Sequence, residues 1–314
     1  MSHHPSIALF RNGHKLAFLY ESLESLIDPK VAVWDLDNGE VLWSKPTDWW
    51  PVMLLAVSGD EQYVVIGVND TITIRSSVTG EQVARFDLWN PTATIESLSF
   101  SPDNARLASG DSKGFVTLWS IRNGRELLRF APCAGARSSL AFEPSGRRLA
   151  GGGDDGTVSI WDADSGSLLR VFHGHSGPIL GVAFVADSDR LVSCDSQSVK
   201  VWDYNSDPDV STMPIPDGQS PLQIIDAHKL VSRESNRIRV TDIDTGVVLA
   251  ETAQQCVSQP LPEVWAVSGD GNRCAKFDRP DSMDSTILRM FDLGSGQLIA
   301  SASVPPPKSR RWDV

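Results

Sequence analysis

Residues 148–172 read RLAGGGDDGTVSIWDADSGSLLRVF. An apolar run (RLAGG, 148–152), a tight-turn signal (DDG, 154–156), a β-branched run closing on Trp-Asp (VSIWD, 158–162), Gly166 and a last apolar run (SLLRVF, 167–172) follow one another with only turn residues between them. Each run is too brief for a helix, and Gly, Asp and Ser separate them, so the stretch predicts three β-strands joined by tight turns. A further run, LAF at 140–142, precedes it across the polar turn EPSG at 143–146. Four antiparallel strands follow in a single short stretch of chain.

The same order recurs along the chain, and repeats of this size decide a fold. The Trp-Asp run has counterparts in VAVWD (31–35), VTLWS (116–120), VKVWD (199–203) and LRMFD (288–292), with weaker ones in ITIRS (72–76) and IRVTD (238–242). Their fourth residues are Trp34, Arg75, Trp119, Trp161, Trp202, Thr241 and Phe291, at a spacing of about 43. Five places beyond each stand Gly39, Gly80, Gly124, Gly166, Asp207, Gly246 and Gly296, whereas a chain with 24 glycines in 314 residues would supply about half a glycine there by chance. A strand that reverses at once needs positive φ at the turn, which glycine adopts without a Cβ penalty. No stretch shows a sustained helical period; the best candidate, ESLESLIDP at 21–29, is short and ends in proline.

A single four-stranded sheet with two apolar faces cannot stand alone, but seven in radial array bury each face on a neighbour. The Trp-Asp strand ends, the SPDN turn at 101–104, the LASG second strand at 107–110 and the pair Gly174-His175 resemble the WD-repeat β-propellers over essentially the whole chain. The expectation is an all-β, seven-bladed β-propeller of four-stranded antiparallel blades, one domain over 1–304. The blades fall at about 6–46, 52–88, 95–131, 138–173, 179–215, 221–255 and 263–304, followed by a Pro-rich basic tail at 305–314. Repeats 2 and 6 match by phase alone. Rings of this family usually close by sharing a blade between the termini. Here every blade is contiguous in sequence, which leaves closure by side-chain packing, with a weak seam between blades 7 and 1, or a chain that is part of something longer.

The resemblance also implies a buried polar network, and repeat 5 alone supplies all four members: His175, Ser193, Asp195 and Trp202. A His-Ser-Asp set invites a hydrolase reading. The tryptophan and the strand phase favour instead core polar groups that satisfy one another. Gly13-His14 looks like the same signature but falls in the turn between the first two strands of repeat 1. Arg75, in an aromatic's place, is expected to carry its charge outward over its stem. The aspartates at the strand ends recur too regularly to mark a site and read as turn-formers.

Composition narrows the function. The net charge of −12 opposes nucleic acid as a main partner, and no apolar run approaches the roughly 20 residues that span a bilayer. Cys133, Cys194, Cys256 and Cys274 lack the spacing of a metal site or disulfide framework, and the start lacks a secretory pattern, so an intracellular, cytoplasmic protein with no metal or cofactor is expected. No nucleotide, hydrolase or metalloprotease motif occurs. The glycines of GGGDDG (151–156) fit strand and turn better than a phosphate loop, because no helix or lysine follows. The enzyme alternative is a quinoprotein-dehydrogenase-like propeller: VWDLDNGEVLW (33–43) resembles that family's tryptophan-docking motif at Asp35, Gly39 and Trp43, but once only and in a seven-bladed count.

The reading that remains is a non-catalytic protein-interaction platform. In such blades the connections between second and third strands, and from one blade to the next, emerge on one face, here called the top. Its unusual segments are TDWWP (47–51), DLWNP (87–91), the acidic loop ESLESLIDPK (21–30) and DRPDSMDST (278–286). Trp49, Trp50 and Trp89 are candidate contacts, beside an acidic ridge of Glu21, Glu24, Asp28, Asp278, Asp281 and Asp284. That combination suits a protein partner presenting a basic peptide segment with an apolar anchor.

Overall fold

The computed structural model describes residues 7–22, 25–47, 53–130, 139–186, 188–205, 211–216, 219–225, 228–234, 237–251, 265–268, 272–278, 286–295 and 297–304. These form seven four-stranded antiparallel sheets, each built from consecutive strands, arranged as a seven-bladed propeller. Blade 1 comprises Ile7–Leu9, Lys15–Ser22, Ser25–Asp35 and Glu40–Pro46; blade 2, Met53–Val57, Tyr63–Val68, Thr71–Ser76 and Gln82–Asp87. Blade 3 is Ile95–Phe100, Arg106–Asp111, Val116–Ser120 and Glu126–Phe130, and blade 4 is Ser139–Phe142, Arg148–Gly152, Val158–Asp162 and Leu168–Phe172. Gly181–Phe184, Arg190–Cys194, Ser198–Asp203 and Ser211–Pro214 make blade 5. Gln219–Ile225, Lys229–Glu234, Arg237–Asp242 and Val248–Glu251 make blade 6, and Trp265–Val267, Arg273–Asp278, Thr286–Asp292 and Leu298–Val304 make blade 7. There is no helix among the described residues, and so none that could cross a membrane.

The glycine turns have the conformation the spacing demands: Gly39 and Gly80, for instance, sit at φ +73° and +70°. The aspartate at the strand end closes the same turn. Asp162 Oδ1 accepts from the Ser165 amide at 2.8 Å and its hydroxyl at 2.7 Å, and Asp242 and Asp292 bind Thr245 and Ser295 in the same way. Hydroxyl donation holds all three carboxyls below their ordinary range. Just past the turn, the ladder between third and fourth strands shifts register in six blades, leaving Leu42, Val83, Leu127, Leu169, Leu249 and Ile299 unpaired and 41–51% exposed. Such bulges blunt an edge strand that would otherwise template pairing with another chain.

Blades adhere through their faces. At three junctions the last apolar side chain of one blade packs on the marker tryptophan of the next: Phe86 on Trp119 at 4.5 Å, Phe130 on Trp161 at 5.6 Å, Phe172 on Trp202 at 5.0 Å. Each pair is buried and contributes about 0.5–1.5 kcal/mol beyond area burial. The junction of blades 1 and 2 lacks this pair, because Lys45 and Arg75 stand in the two places. Arg75 turns its guanidinium outward to the carbonyls of Gly80 (2.9 Å) and Pro46 (3.1 Å), and Lys45 reaches Glu81 at 3.0 Å. Trp43 supplies the missing aromatic from two residues earlier: its indole N–H donates to Ser77 O at 2.7 Å, and its ring lies over the Gly80 turn. Trp43 is therefore a docking tryptophan between two blades, on a ring of seven.

One expectation is corrected. Within the acidic segment 21–30, residues 21–22 and 25–30 are strand and not loop: the second and third strands of blade 1 run on, with Tyr20 opposite Lys30, Ser22 opposite Ser25 and a register shift between. Leu26 and Ile27 favour extended backbone, and Pro29 falls at the shift, where the ladder tolerates a missing N–H. The fourth strand follows this pair outward, with the Thr47 amide donating to Pro29 O at 2.9 Å. Asp278 and Thr286 likewise belong to strands of blade 7 and not to the connection between them.

The two glycine turns of blades 1 and 2 separate backbone strain from packing. A Cβ at Gly39 would meet nothing within 4 Å, whereas at Gly80 it would stand 2.7 Å from the Trp43 ring. Gly39→Ala should cost about 1–2 kcal/mol from left-handed backbone alone. Gly80→Ala should cost a further 1–3 kcal/mol or so from displacing Trp43. Urea midpoints compare them, and equal losses would show that Trp43 does not bear on the turn.

Candidate functional site

The top face carries the connections between second and third strands and those between blades. Of the residues expected there, Glu21 and Asp28 lie on the second and third strands of blade 1 and Asp278 ends the second strand of blade 7. Glu24, Trp49, Trp50, Asp281 and Asp284 lie outside the described residues.

Trp89 lies on the connection from blade 2 to blade 3. That connection is tied down at both ends: Leu88 N donates to Asp70 O and Ile95 N to Asn69 O, both at 2.7 Å. Between them Asn90 Oδ1 accepts from the Thr92 amide (3.0 Å) and hydroxyl (2.8 Å). The indole packs edge-on to Phe115 at 6.1 Å, and the Arg129 guanidinium lies 4.9 Å over its ring. Arg129 is itself paired with Glu126. Trp89 nevertheless stays 56% exposed. A large aromatic held on two sides and open on the rest loses little entropy when a partner covers it.

Trp89 stands three residues past Phe86, and His175 stands three past Phe172, so the two occupy equivalent places two repeats apart. In blade 5 that place faces inward. His175 Nε2 meets Ser193 Oγ at 2.7 Å, Trp202 Nε1 donates to the same oxygen at 2.8 Å, and His175 Nδ1 lies 3.2 Å from Asp195 Oδ2. Asp195 also accepts from the amides of Gln197 (2.9 Å), Ser198 (2.7 Å) and Ser176 (3.1 Å). The structure thus brings all four side chains together, Asp195 included. The order Ser-His-Asp matches a hydrolytic triad, but Ser193 is wholly buried and its oxygen is already occupied by the indole, so no substrate carbonyl can reach it.

Burial pushes the His175 imidazole below its ordinary value, against the pull of Asp195, and so favours the neutral ring. Burial would raise Asp195, but the amides of Gln197, Ser198 and Ser176 together with the imidazole outweigh it and bring the carboxyl to about 2. Cys194 beside it is an inert thiol, pushed up to about 12 by burial and by Asp195.

The other blades keep fragments of this network. Blade 3 retains the Trp119 Nε1 to Ser109 Oγ bond at 2.8 Å and the turn aspartate Asp111, which accepts from the amides of Lys113 (2.8 Å) and Phe115 (3.0 Å) and is raised by burial. In blade 1 Phe18 replaces the serine, and the buried Trp34 indole N–H is left without an acceptor. Blade 4 has Gly151 there, packed under the Trp161 ring, and its neighbour Gly152 packs under Ile179, which leaves no cradle for a phosphate. Among the described residues no three His, Cys, Asp or Glu side chains gather to hold a metal. His14, by contrast, is a surface residue paired with Asp37 at 2.7 Å.

Two outcomes follow for blade 5. His175→Ala strands a buried hydroxyl and carboxylate and should destabilise by about 1–3 kcal/mol, whereas His14→Ala, breaking an exposed pair, should cost about 0–1 kcal/mol. Thermal melts compare them. Both blade 5 groups have depressed pKa values, so the unfolded chain takes up protons first, His175 from about 6.5 downward and Asp195 from about 3.8 towards 2. Stability should therefore fall as pH drops from about 7 to 5, and His175→Asn should flatten that leg. An unchanged slope would mean that the imidazole is not desolvated.

The sequence was also compared with known proteins. The family model described as WD domain, G-beta repeat matches residues 80–120, 132–162 and 166–203. These stretches run from the fourth strand of blade 2, and the glycine turn before it, to the third strand of blade 5. No curated protein matches the chain. The matched stretches place WD repeats across part of a propeller of seven four-stranded blades, three of whose junctions carry Phe-on-Trp contacts and one of whose blades carries a Trp-Ser-His-Asp network.

Proposed function

We propose that the chain is a non-catalytic protein-interaction platform that engages its partners on the top face. The observation that carries this reading is Trp89, open to solvent yet immobilised by Phe115 and Arg129. The family's propellers typically serve as interaction scaffolds. The sealed Ser193 and the structural roles of the strand-end aspartates support a non-catalytic reading of the groups that resemble chemistry.

The partner segment is one with Lys or Arg flanking an apolar anchor. Its basic residues meet the acidic side chains Glu21, Glu24 and Asp28 of blade 1 and Asp278, Asp281 and Asp284 of blade 7. Its anchor meets Trp49 and Trp50, with Trp89 as a second aromatic contact one blade on. Charge steers such an encounter, and aromatic area holds it.

The test places a photo-crosslinking residue on either face and compares captured partners for Trp89→Ala, Trp49→Ala, Trp50→Ala and the pair Asp281→Asn with Asp284→Asn. Loss of an aromatic hot spot should weaken capture about tenfold or more with an unchanged melting temperature. Partners retained by every top-face variant but lost on substitution of Asn12 and Glu61, which bind one another in opposite-face turns, would overturn the assignment.

A further inference from the structure

Arg273 opens the second strand of blade 7, and its Nη1 donates to the carbonyl of Gly13 at 3.0 Å, in the turn between the first two strands of blade 1. Arg106 holds the same place in blade 3, and its Nη2 donates to Gly146 O at 2.7 Å in the corresponding turn of blade 4. Both glycines have positive φ, +70° and +74°. The approach at Gly13 is the closer one: a Cβ there would stand 2.5 Å from Arg273 Cδ. The junction of blades 7 and 1 therefore carries the same side-chain clasp as an interior junction.

What differs is connectivity. The chain itself runs across every junction from 1–2 to 6–7, and each sheet is built from consecutive strands, so no strand among the described residues crosses from blade 7 to blade 1. That junction is held by the clasp and by a cluster in which Ile7, Leu9, Leu16 and Phe18 of blade 1 pack with Ala275 and Ala266 of blade 7. An ionised donor on a backbone carbonyl is among the stronger single contacts available to such a seam.

We infer that Arg273 is the latch of the ring: the propeller opens at the junction of blades 7 and 1 before any other, and the contact between Arg273 and Gly13 sets how often it does. Opening bares the apolar face of Ile7 and Leu9, which the closed ring covers. This inference stands on the fold and is independent of the top-face reading.

Native-state hydrogen exchange of Arg273→Ala and Arg106→Ala, followed by mass spectrometry on the full chain, tests it. By contacts alone Arg106→Ala is the more damaging change, since Arg106 also donates to Ala163 O (3.1 Å) and Asp164 (2.9 Å) and lies 5.6 Å over the Phe142 ring. A latch requires the reverse at the ends of the ring. Arg273→Ala should speed exchange in blades 1 and 7 about tenfold or more while blades 3 to 5 keep wild-type protection, and Arg106→Ala should leave the end blades unchanged. Gly13→Ala, which drives the arginine stem away from the other side, should reproduce the Arg273→Ala pattern and serves should that variant fail to fold. Uniformly faster exchange around the ring, or end blades as protected as in the wild type, would overturn the latch.

Discussion

The burial of one blade's aromatic side chain on the next blade's tryptophan is the contact on which the rest of this structure depends. A four-stranded sheet of short strands has two apolar faces and almost no core of its own. Its stability comes from neighbours. Phe86 on Trp119, Phe130 on Trp161 and Phe172 on Trp202 pin successive faces together at one radius, and the surrounding clusters are shared between blades.

Where that pair is missing, the structure shows what the constraint is worth. Lys45 and Arg75 would bury two cations between blades 1 and 2. Both instead send their charges to the rim, and Trp43 restores the aromatic volume from a different strand position, over a turn that only glycine leaves open. The need to fill the junction persists, and which residue fills it does not. The same holds at the seam, where a guanidinium on a glycine carbonyl joins blades that no peptide bond connects.

A buried network and an exposed aromatic compete for one position. Three residues beyond the stacked phenylalanine, blade 5 receives a histidine that saturates the Ser193 and Asp195 oxygens and closes a polar core. Blade 3 receives Trp89 at that place. An indole cannot bridge a serine to an aspartate as a two-nitrogen ring does, so it lies outward against Phe115 and Arg129. The loss of one buried network and the gain of one exposed aromatic are the same event.

The sequence by itself determined the blades: the recurrent aromatic, the glycine five places on and the short runs between turns are local, since each reports the backbone within a few residues. The resemblance to WD-repeat propellers also pointed to the four members of the blade 5 network. Tertiary structure decided what depends on a neighbour. Only the sheet showed that residues 21–22 and 25–30 continue a ladder, since extended backbone and an acidic loop share a composition. Only the packed ring showed that Trp43 docks and Trp89 does not, for both are tryptophans beside polar turns and the difference lies in what the next blade offers. The clasp of Arg273 on Gly13 joins residues 260 positions apart, and no local pattern encodes a contact that exists only once the circle has closed.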